Sequence, residues 1–237
     1  MFRTKIADVA FGVEPIYETT ARYFKDYPCE DTEELAFVAR VSKSSIDELL
    51  KEIPDCRPDY AESLEVFRIL SYYLLNNRLG TMIHASAIAV DGEAYLFTAL
   101  SGTGKSTHAR LWRELLGSRA VMVNDDKPIL RLIGDEIYVY GTPWMGKHYL
   151  GANIKAKVKA VCKIEQAPEN SIEDITVPEM VLALFNQTVR PLNEKDMMDL
   201  TFILDKLLRG VKTYRLKCTP TIDAAKLSFS VMSGEKL

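Results

Sequence analysis

The sequence has few cysteines, and their spacing suggests neither a metal site nor a disulfide framework. Its four cysteines stand far apart, with no CxxC pair and no Cys/His cluster beside them. We therefore expect reduced, structural thiols. The sequence also has no run of about 18 apolar residues, the length that a membrane-spanning helix needs, and its amino terminus lacks the pattern of a secretory signal. These absences predict a cytoplasmic protein with no membrane partner.

An excess of positive charge is absent as well. The 237 residues include 30 Lys and Arg against 33 Asp and Glu, which gives a net charge of -3. Proteins that bind DNA or RNA through their bulk charge need a basic surface, so no nucleic-acid partner is expected. Hydrophobic residues make up 47% of the chain, which is enough for a sizeable core. This composition remains compatible with phosphate binding at one local site.

No repeat, low-complexity tract or Gly/Ser linker divides the chain, which predicts one domain with three portions. Residues 1–79 form a β-rich amino-terminal portion that ends in a helix. Residues 80–165 form the nucleotide-binding core, with a strand, a glycine-rich loop, a helix over 105–116 and a further strand in βαβ order. Residues 166–237 form an α/β carboxy-terminal portion. The pattern as a whole predicts an α/β fold, and self-association into a homo-oligomer is left open.

The strongest motif is a phosphate loop. Residues 99–107 read ALSGTGKST, which is close to the pattern GxxxxGK[ST] with Ala99 in place of the first glycine. The glycines permit a tight turn whose backbone N–H groups converge on phosphate oxygens. Lys105 would contact the β- and γ-phosphates of ATP, and the Ser106 hydroxyl would bind Mg²⁺; a plain glycine-rich turn is the alternative. The predicted nucleotide-binding residues are Ser101, Gly102, Thr103, Gly104, Lys105, Ser106 and Thr107.

Two acidic residues and an upstream histidine complete the predicted site. Asp125 and Asp126 end the strand after the phosphate-loop helix, where a carboxylate can reach a metal held by Ser106. We expect one of the pair to bind Mg²⁺ and the other to accept a proton from an attacking hydroxyl; a solvated turn is the alternative. His84 lies on the hairpin strand beside the phosphate loop. It would assist the acidic pair or contact phosphate, unless it is a packed core residue.

A loop and an arginine downstream are candidates for substrate binding. The segment 141–148 reads GTPWMGKH and offers Trp144 as a platform for the acceptor. Lys147 or His148 would contact a carboxylate or a phosphate of that acceptor. The alternative is a packed turn around a buried tryptophan. Arg190, between two predicted helices, would bring a guanidinium to the γ-phosphate, or it caps a helix at the surface.

Three ordered motifs together carry a family resemblance. They lie in IHASAIAVDGEAYLFTALSGTGKSTHARLW and the following VMVNDDKPIL, which resemble the kinase domain of HPr kinase/phosphorylase and, more broadly, phosphoenolpyruvate carboxykinase-like P-loop proteins. The resemblance implies a carboxykinase-like P-loop fold with a mixed central sheet and flanking helices. It implies that Asp125 is the general base and that Asp126 lies near the metal. The resemblance also implies that His84, Lys105 and Ser106 occupy catalytic or metal-binding positions of the family.

The same resemblance implies an ATP- and Mg²⁺-dependent kinase that transfers the γ-phosphoryl group to a hydroxyl. No counterpart is found of the segment with which HPr kinases contact their protein substrate. The chain is therefore more similar to compact HPr kinase-like proteins, and the expected acceptor is a small molecule, a peptide or a protein serine. One alternative is a nucleotide-binding regulatory or scaffold protein without phosphotransfer. Another is a small-molecule carboxykinase, which the short chain and the incomplete ligand set disfavour.

Overall fold

A computed structural model describes residues 1–236 and divides them into two compact units. The first unit is Met1–Leu74 and the second begins at Leu75. The elements of the first unit are β1 (Phe2–Ile6), β2 (Val9–Glu14), a 3-10 helix (Glu18–Phe24), β3 (Val38–Arg40), α1 (Lys43–Glu52) and α2 (Pro58–Asn76), within which the division falls. Strand β1 is antiparallel to β2, and β2 is parallel to β3. The portion predicted to be β-rich with one helix at its end therefore contains further helices.

The second unit is mixed α/β, which confirms the predicted combination of a mixed sheet with flanking helices. Its first elements are β4 (Gly80–Met82), β5 (Ala85–Val90), β6 (Glu93–Thr98), α3 (Lys105–Leu116), β7 (Ala120–Asn124), β8 (Ile129–Ile133) and β9 (Glu136–Tyr140). They are followed by β10 (Lys155–Gln166), β11 (Ser171–Asp174), α4 (Val177–Phe185), α5 (Glu194–Gly210), β12 (Lys212–Cys218) and α6 (Ile222–Ser233). None of the helices in residues 1–236 combines the length and apolar character needed to cross a membrane.

The strand order determines which strand ends lie together and can form a site. Within residues 1–236 the sheet runs β4-β8-β9-β10-β6-β5-β7, with β12 beside β10 and β11 beside β12. Because β5 is antiparallel to both β6 and β7, those two strands run in the same direction with β5 between them. The predicted strand-helix-strand unit is therefore present, but it skips one strand. As a result, one end of the sheet carries the carboxyl ends of β6 and β7 together with the amino end of β5.

A tight hairpin joins β5 to β6. Asp91 and Gly92 both have positive φ, at 50° and 88°, as a type I′ turn requires at both central positions. The register that this turn sets places Ala85 opposite Thr98. His84 therefore lies just before β5, at the level where the predicted phosphate loop begins, and not on the hairpin strand as the sequence predicted.

Helices α3 and α6 pack around Trp112 on one face of the sheet. Trp112 is fully buried, and its ring centroid lies 5.1 Å from those of Tyr95 and Phe97 and 5.2 Å from that of Phe229. Its indole N–H donates to Ser228 Oγ at 2.8 Å, so the polar atom of the ring is satisfied. Buried aromatic side chains contribute strongly to stability. This packing holds α3, and with it the loop that precedes α3, against the sheet.

His108, also on α3, gives the fold a predictable pH dependence. It is 3% exposed, and its Nε2 lies 2.8 Å from Ser228 Oγ. Burial lowers the pKa of His108 from 6.5 to about 4. The unfolded chain therefore takes up this proton at a higher pH than the folded chain, so stability is fully present above pH 6.5 and falls as the pH drops towards 4. We expect about 2 kcal/mol to be lost between about pH 7.5 and about pH 5.

Urea unfolding at the two pH values measures this loss. The variant His108→Gln removes the titrating group, so its free energy of unfolding should fall less over the same interval. His148→Gln is the matched control because His148 is exposed, and it should behave like the unmodified chain. Equal pH dependence in the unmodified chain and in His108→Gln would show that His108 is not the group responsible.

Candidate active site

The predicted phosphate loop joins β6 to α3, and the first amides of α3 have no side-chain cap. Gly102 and Gly104 have φ of 79° and 119°, in the left-handed region that glycine enters without strain. Gly104 is the N-cap residue, and no side chain accepts a hydrogen bond from the first turn. These N–H groups and the positive end of the helix dipole are therefore available to an anion. Ala99 is not among the residues with positive φ, so alanine fits where the motif usually has glycine.

Lys105, the first residue of α3, folds its side chain back over this loop. Its Nζ donates to the backbone oxygens of Ala99 at 3.0 Å and Leu100 at 3.4 Å. Burial lowers the pKa of Lys105, and the negative charges of Asp126 and Asp125 oppose that effect. The ammonium group is thus held against the loop carbonyls, within electrostatic range of the acidic pair.

Asp125 and Asp126 follow one another at the end of β7 but have different surroundings. Asp125 is 7% exposed and accepts a hydrogen bond from Ser86 Oγ at 2.6 Å. In Asp126, Oδ1 lies 3.2 Å from His84 Nε2, and Oδ2 is paired with the Lys127 ammonium. Burial acts to raise the pKa of Asp126, but the hydrogen bond from His84 and the charge of Lys127 outweigh it and leave the pKa lowered. Asp126 is therefore a carboxylate at neutral pH.

Asn124 fixes the turn that carries the acidic pair, a role that the sequence did not reveal. Its Oδ1 accepts the backbone N–H groups of Asp126 at 2.9 Å and Lys127 at 2.8 Å. Its Nδ2 donates to the backbone oxygen of Thr142 at 3.1 Å and to Thr142 Oγ1 at 3.0 Å. The available signal was an asparagine before two acidic residues at a strand end, because asparagine often binds backbone amides two or three positions ahead.

The loop after β9 approaches the acidic pair closely at Gly146. This glycine has φ of 72°, and a Cβ there would lie 3.0 Å from the Cβ of Asp126, so both conformation and space favour glycine. The next two residues, Lys147 and His148, are exposed and line the same cleft as Asp126. Trp144 is fully buried. Its position matches the packed-turn alternative, and its ring is not accessible as a platform for an acceptor.

One cleft of about 560 Å³ brings these segments together. Its walls contain the helix start and loop at Ser101, Gly102, Gly104, Lys105, Ser106 and Thr107, with His84, Asp125, Asp126, Gly146, Lys147 and His148. Three predicted residues, the buried Trp144 together with Thr103 and Arg190, do not line the cleft. Thr103 lines a neighbouring cavity. Arg190 is exposed between α4 and α5 and is not among the described residues that line the cleft, so its contact with a phosphate stays a prediction.

The donor groups in this cleft fit Mg²⁺ bound together with a nucleotide. No cluster of three or more His, Cys, Asp or Glu side chains able to hold a metal ion occurs in residues 1–236. Mg²⁺ seldom needs such a cluster, because it keeps several waters and is bound by one or two carboxylates and by phosphate oxygens. The exposed Ser106 hydroxyl and the carboxylates of Asp125 and Asp126 line the same cleft. They can supply the protein oxygens of such a site.

Comparison with known proteins finds distant likeness among solved structures alone. No protein-family model matches the chain, and the search of curated proteins finds no match. Among solved structures, the chain is similar to the HPr(Ser) kinase/phosphatase from Coxiella burnetii, with 14% sequence identity and a TM-score of 0.27. The match covers 54% of this chain and 97% of that one. This is a distant structural relationship, and the resemblance to the kinase family stays a prediction.

Proposed function

We propose that the chain is an ATP- and Mg²⁺-dependent kinase with a carboxykinase-like P-loop core, similar to the HPr kinases. It would transfer the γ-phosphoryl group of ATP to the hydroxyl of a small molecule, a peptide or a protein serine. The observation that supports this most is the convergence of four chain segments in one cleft. Uncapped amides with Lys105 meet two carboxylates and a histidine there, and phosphoryl transfer requires that combination of phosphate binding, metal binding and proton acceptance.

The proposed mechanism consists of positioning and charge neutralisation. The loop amides and the Lys105 ammonium would hold the β- and γ-phosphates in line with the acceptor. Asp125 would accept the proton of the attacking hydroxyl. Ser86 binds Oδ1 of Asp125, which fixes the carboxylate and leaves Oδ2 for the acceptor. Ser106 and Asp126 would hold Mg²⁺, which when bound would supply positive charge to the phosphate oxygens.

Two exposed side chains suggest the character of the acceptor. Lys147 and His148 line the cleft on the loop that passes Asp126. A lysine ammonium binds a carboxylate or a phosphate as a point charge, and imidazole can donate a hydrogen bond to the same group. We therefore propose that the acceptor carries an anionic group near its reactive hydroxyl. Trp144, being buried, takes no part in this contact.

A direct assay tests the proposed function. The chain is incubated with Mg²⁺, ATP and a panel of acceptors that includes serine peptides and anionic hydroxyl compounds, and products are identified by mass spectrometry. The proposal expects a gain of one phosphoryl group on at least one acceptor hydroxyl. ATP binding without any phosphorylated product would favour the regulatory or scaffold alternative. Formation of phosphoenolpyruvate from oxaloacetate would favour the carboxykinase alternative.

Replacing Ser106 by alanine should weaken ATP binding only when Mg²⁺ is present. The hydroxyl is exposed in the cleft and is the proposed metal ligand, so its loss removes one metal-oxygen contact and leaves the loop amides in place. We expect about tenfold weaker binding with Mg²⁺, equal to about 1.4 kcal/mol, and little change without it. Calorimetric titration with and without Mg²⁺ measures the difference. Ser118→Ala, at an exposed serine after α3, is the control, and equal weakening under both conditions would contradict the metal role.

A further inference from the structure

Lys127 forms an ion pair with Asp126 that the proposed mechanism does not use. Its ammonium donates to Oδ2 of Asp126, while His84 Nε2 lies 3.2 Å from Oδ1. Both oxygens of the proposed metal ligand are therefore engaged. The side chains of Lys127 and Asp126 are 30% and 19% exposed, so water screens this pair less than it screens a fully exposed salt bridge.

Hydrogen bonds hold the backbone of Lys127 in place on both sides. Its N–H donates to Oδ1 of Asn124 at 2.8 Å, and its carbonyl oxygen accepts from Thr142 Oγ1 at 2.8 Å. A lysine side chain has a flexible stem of four carbons. The ammonium can therefore leave Asp126 by rotation of the side chain, while the turn that carries the acidic pair keeps its shape.

The carboxylate of Asp126 is too small to hold this ammonium and a metal ion together without repulsion. Mg²⁺ lies about 2.0–2.1 Å from its oxygen ligands, and an ammonium lies about 2.7–2.9 Å from a carboxylate oxygen. Two cations on one oxygen are therefore at most about 5 Å apart. Because the site is partly shielded from water, their repulsion is stronger than in bulk solvent. A metal ion on Asp126 and the Lys127 ammonium thus exclude each other.

The charges in the cleft are balanced before a nucleotide binds. Among the described residues that line it, Lys105 and Lys147 match the carboxylates of Asp125 and Asp126 in charge, and Lys127 adds a further positive charge beside them. Mg²⁺ gives up its waters reluctantly, so it gains little at a site without excess negative charge. The phosphates of a nucleotide supply that excess, and only then is displacement of the ammonium compensated.

We propose that Lys127 is a displaceable counter-ion, which prevents Asp126 from binding free Mg²⁺ and leaves it when metal and nucleotide enter the cleft together. This inference rests on the proposed function and adds one residue to it. Lys127 acts through Asp126 and is therefore a positioning residue. It makes metal binding depend on the nucleotide.

Binding of Mn²⁺ to the full chain without nucleotide tests the proposal. Mn²⁺ accepts the same oxygen ligands as Mg²⁺, and electron paramagnetic resonance measures its free concentration. Lys127→Met keeps the apolar stem and removes the charge, so it should raise Mn²⁺ affinity by at least about tenfold. Lys127→Gln, a second neutral variant, should show a similar gain. Adding Asp126→Asn to Lys127→Met should abolish it.

Two further variants control for charge and for general effects on the fold. Lys127→Arg keeps the positive charge and should bind Mn²⁺ as weakly as the unmodified chain does. Lys159→Met is the matched control, because the Lys159 side chain is 33% exposed and is paired with Glu93 at the amino end of β6. It removes an equivalent ion pair at the opposite end of that strand from the predicted phosphate loop, and should leave Mn²⁺ affinity unchanged.

The outcomes separate failure of this inference from failure of the proposed function. If Lys127→Met and Lys127→Gln are folded by circular dichroism and bind Mn²⁺ no more tightly than the unmodified chain, the counter-ion role is overturned. An equal gain in Lys127→Arg would overturn it too. Neither result affects the acceptor assay, which uses the unmodified chain. Absence of both ATP binding and phosphorylated product in that assay would refute the proposed function, and with it this inference.

Discussion

Replacing Lys105 by methionine is expected to lower the rate of phosphoryl transfer by about 10²–10³-fold, the usual effect of removing one group that stabilises charge in a transition state. The Lys105 ammonium lies beside the loop amides and already binds the carbonyl oxygens of Ala99 and Leu100. Methionine keeps the length and apolar stem of the side chain, so the packing at the start of α3 is retained. Affinity for ATP should also fall by about tenfold or more, because one positive charge is lost at the β- and γ-phosphates.

Rate measurements under saturating ATP separate the two effects of Lys105→Met. Lys226→Met is a suitable control, since Lys226 is an exposed lysine on α6 paired with Asp223. It should leave both rate and affinity unchanged. Circular dichroism and the unfolding midpoint should show that Lys105→Met is folded. A folded variant with full activity would remove Lys105 from the proposed mechanism.

The glycine-rich turn and the helix that follows it could be predicted because their signal is local. Gly102 and Gly104 supply the left-handed turns, Lys105 follows directly, and the helix over 105–116 has the bounds that its sequence predicts. The placement of His84 beside the start of this turn also depends on local sequence, because the Asp-Gly turn fixes the register of the β5–β6 hairpin. These features depend on neighbours within a few positions, and a single sequence contains that information.

The remaining features depend on contacts between distant segments. The insertion of β5 between β6 and β7 requires knowledge of strand pairing, which hydrophobic periodicity does not carry. The support of Asp126 by Asn124 depends on Thr142, a residue of the loop after β9. The contact of Gln166 with Thr103 spans 63 positions. Burial of Trp144 likewise could not be distinguished from exposure, because glycine, proline and an aromatic residue occur in packed turns and in binding loops alike.

Replacing Asp125 by asparagine should reduce phosphoryl transfer by about 10²–10⁴-fold, the range typical for loss of a general base. The exchange keeps the shape of the side chain and retains an oxygen that accepts from Ser86, so the local fold should persist. It removes the capacity to take a proton from the acceptor hydroxyl. ATP affinity in the presence of Mg²⁺ should change little, because Ser106 and Asp126 are the proposed metal ligands.

The comparison with Asp126→Asn makes the assignment of Asp125 falsifiable. Asp126 lies against His84 and Lys127, and its role as metal ligand predicts that Asp126→Asn weakens ATP binding with Mg²⁺ and shifts the Mg²⁺ requirement upward. Asp125→Asn should instead bind ATP normally and fail in the transfer step, as single-turnover rates and binding titrations would show. If the two effects are exchanged, the two carboxylates have exchanged roles, with the His84–Asp126 pair accepting the proton and Asp125 binding the metal.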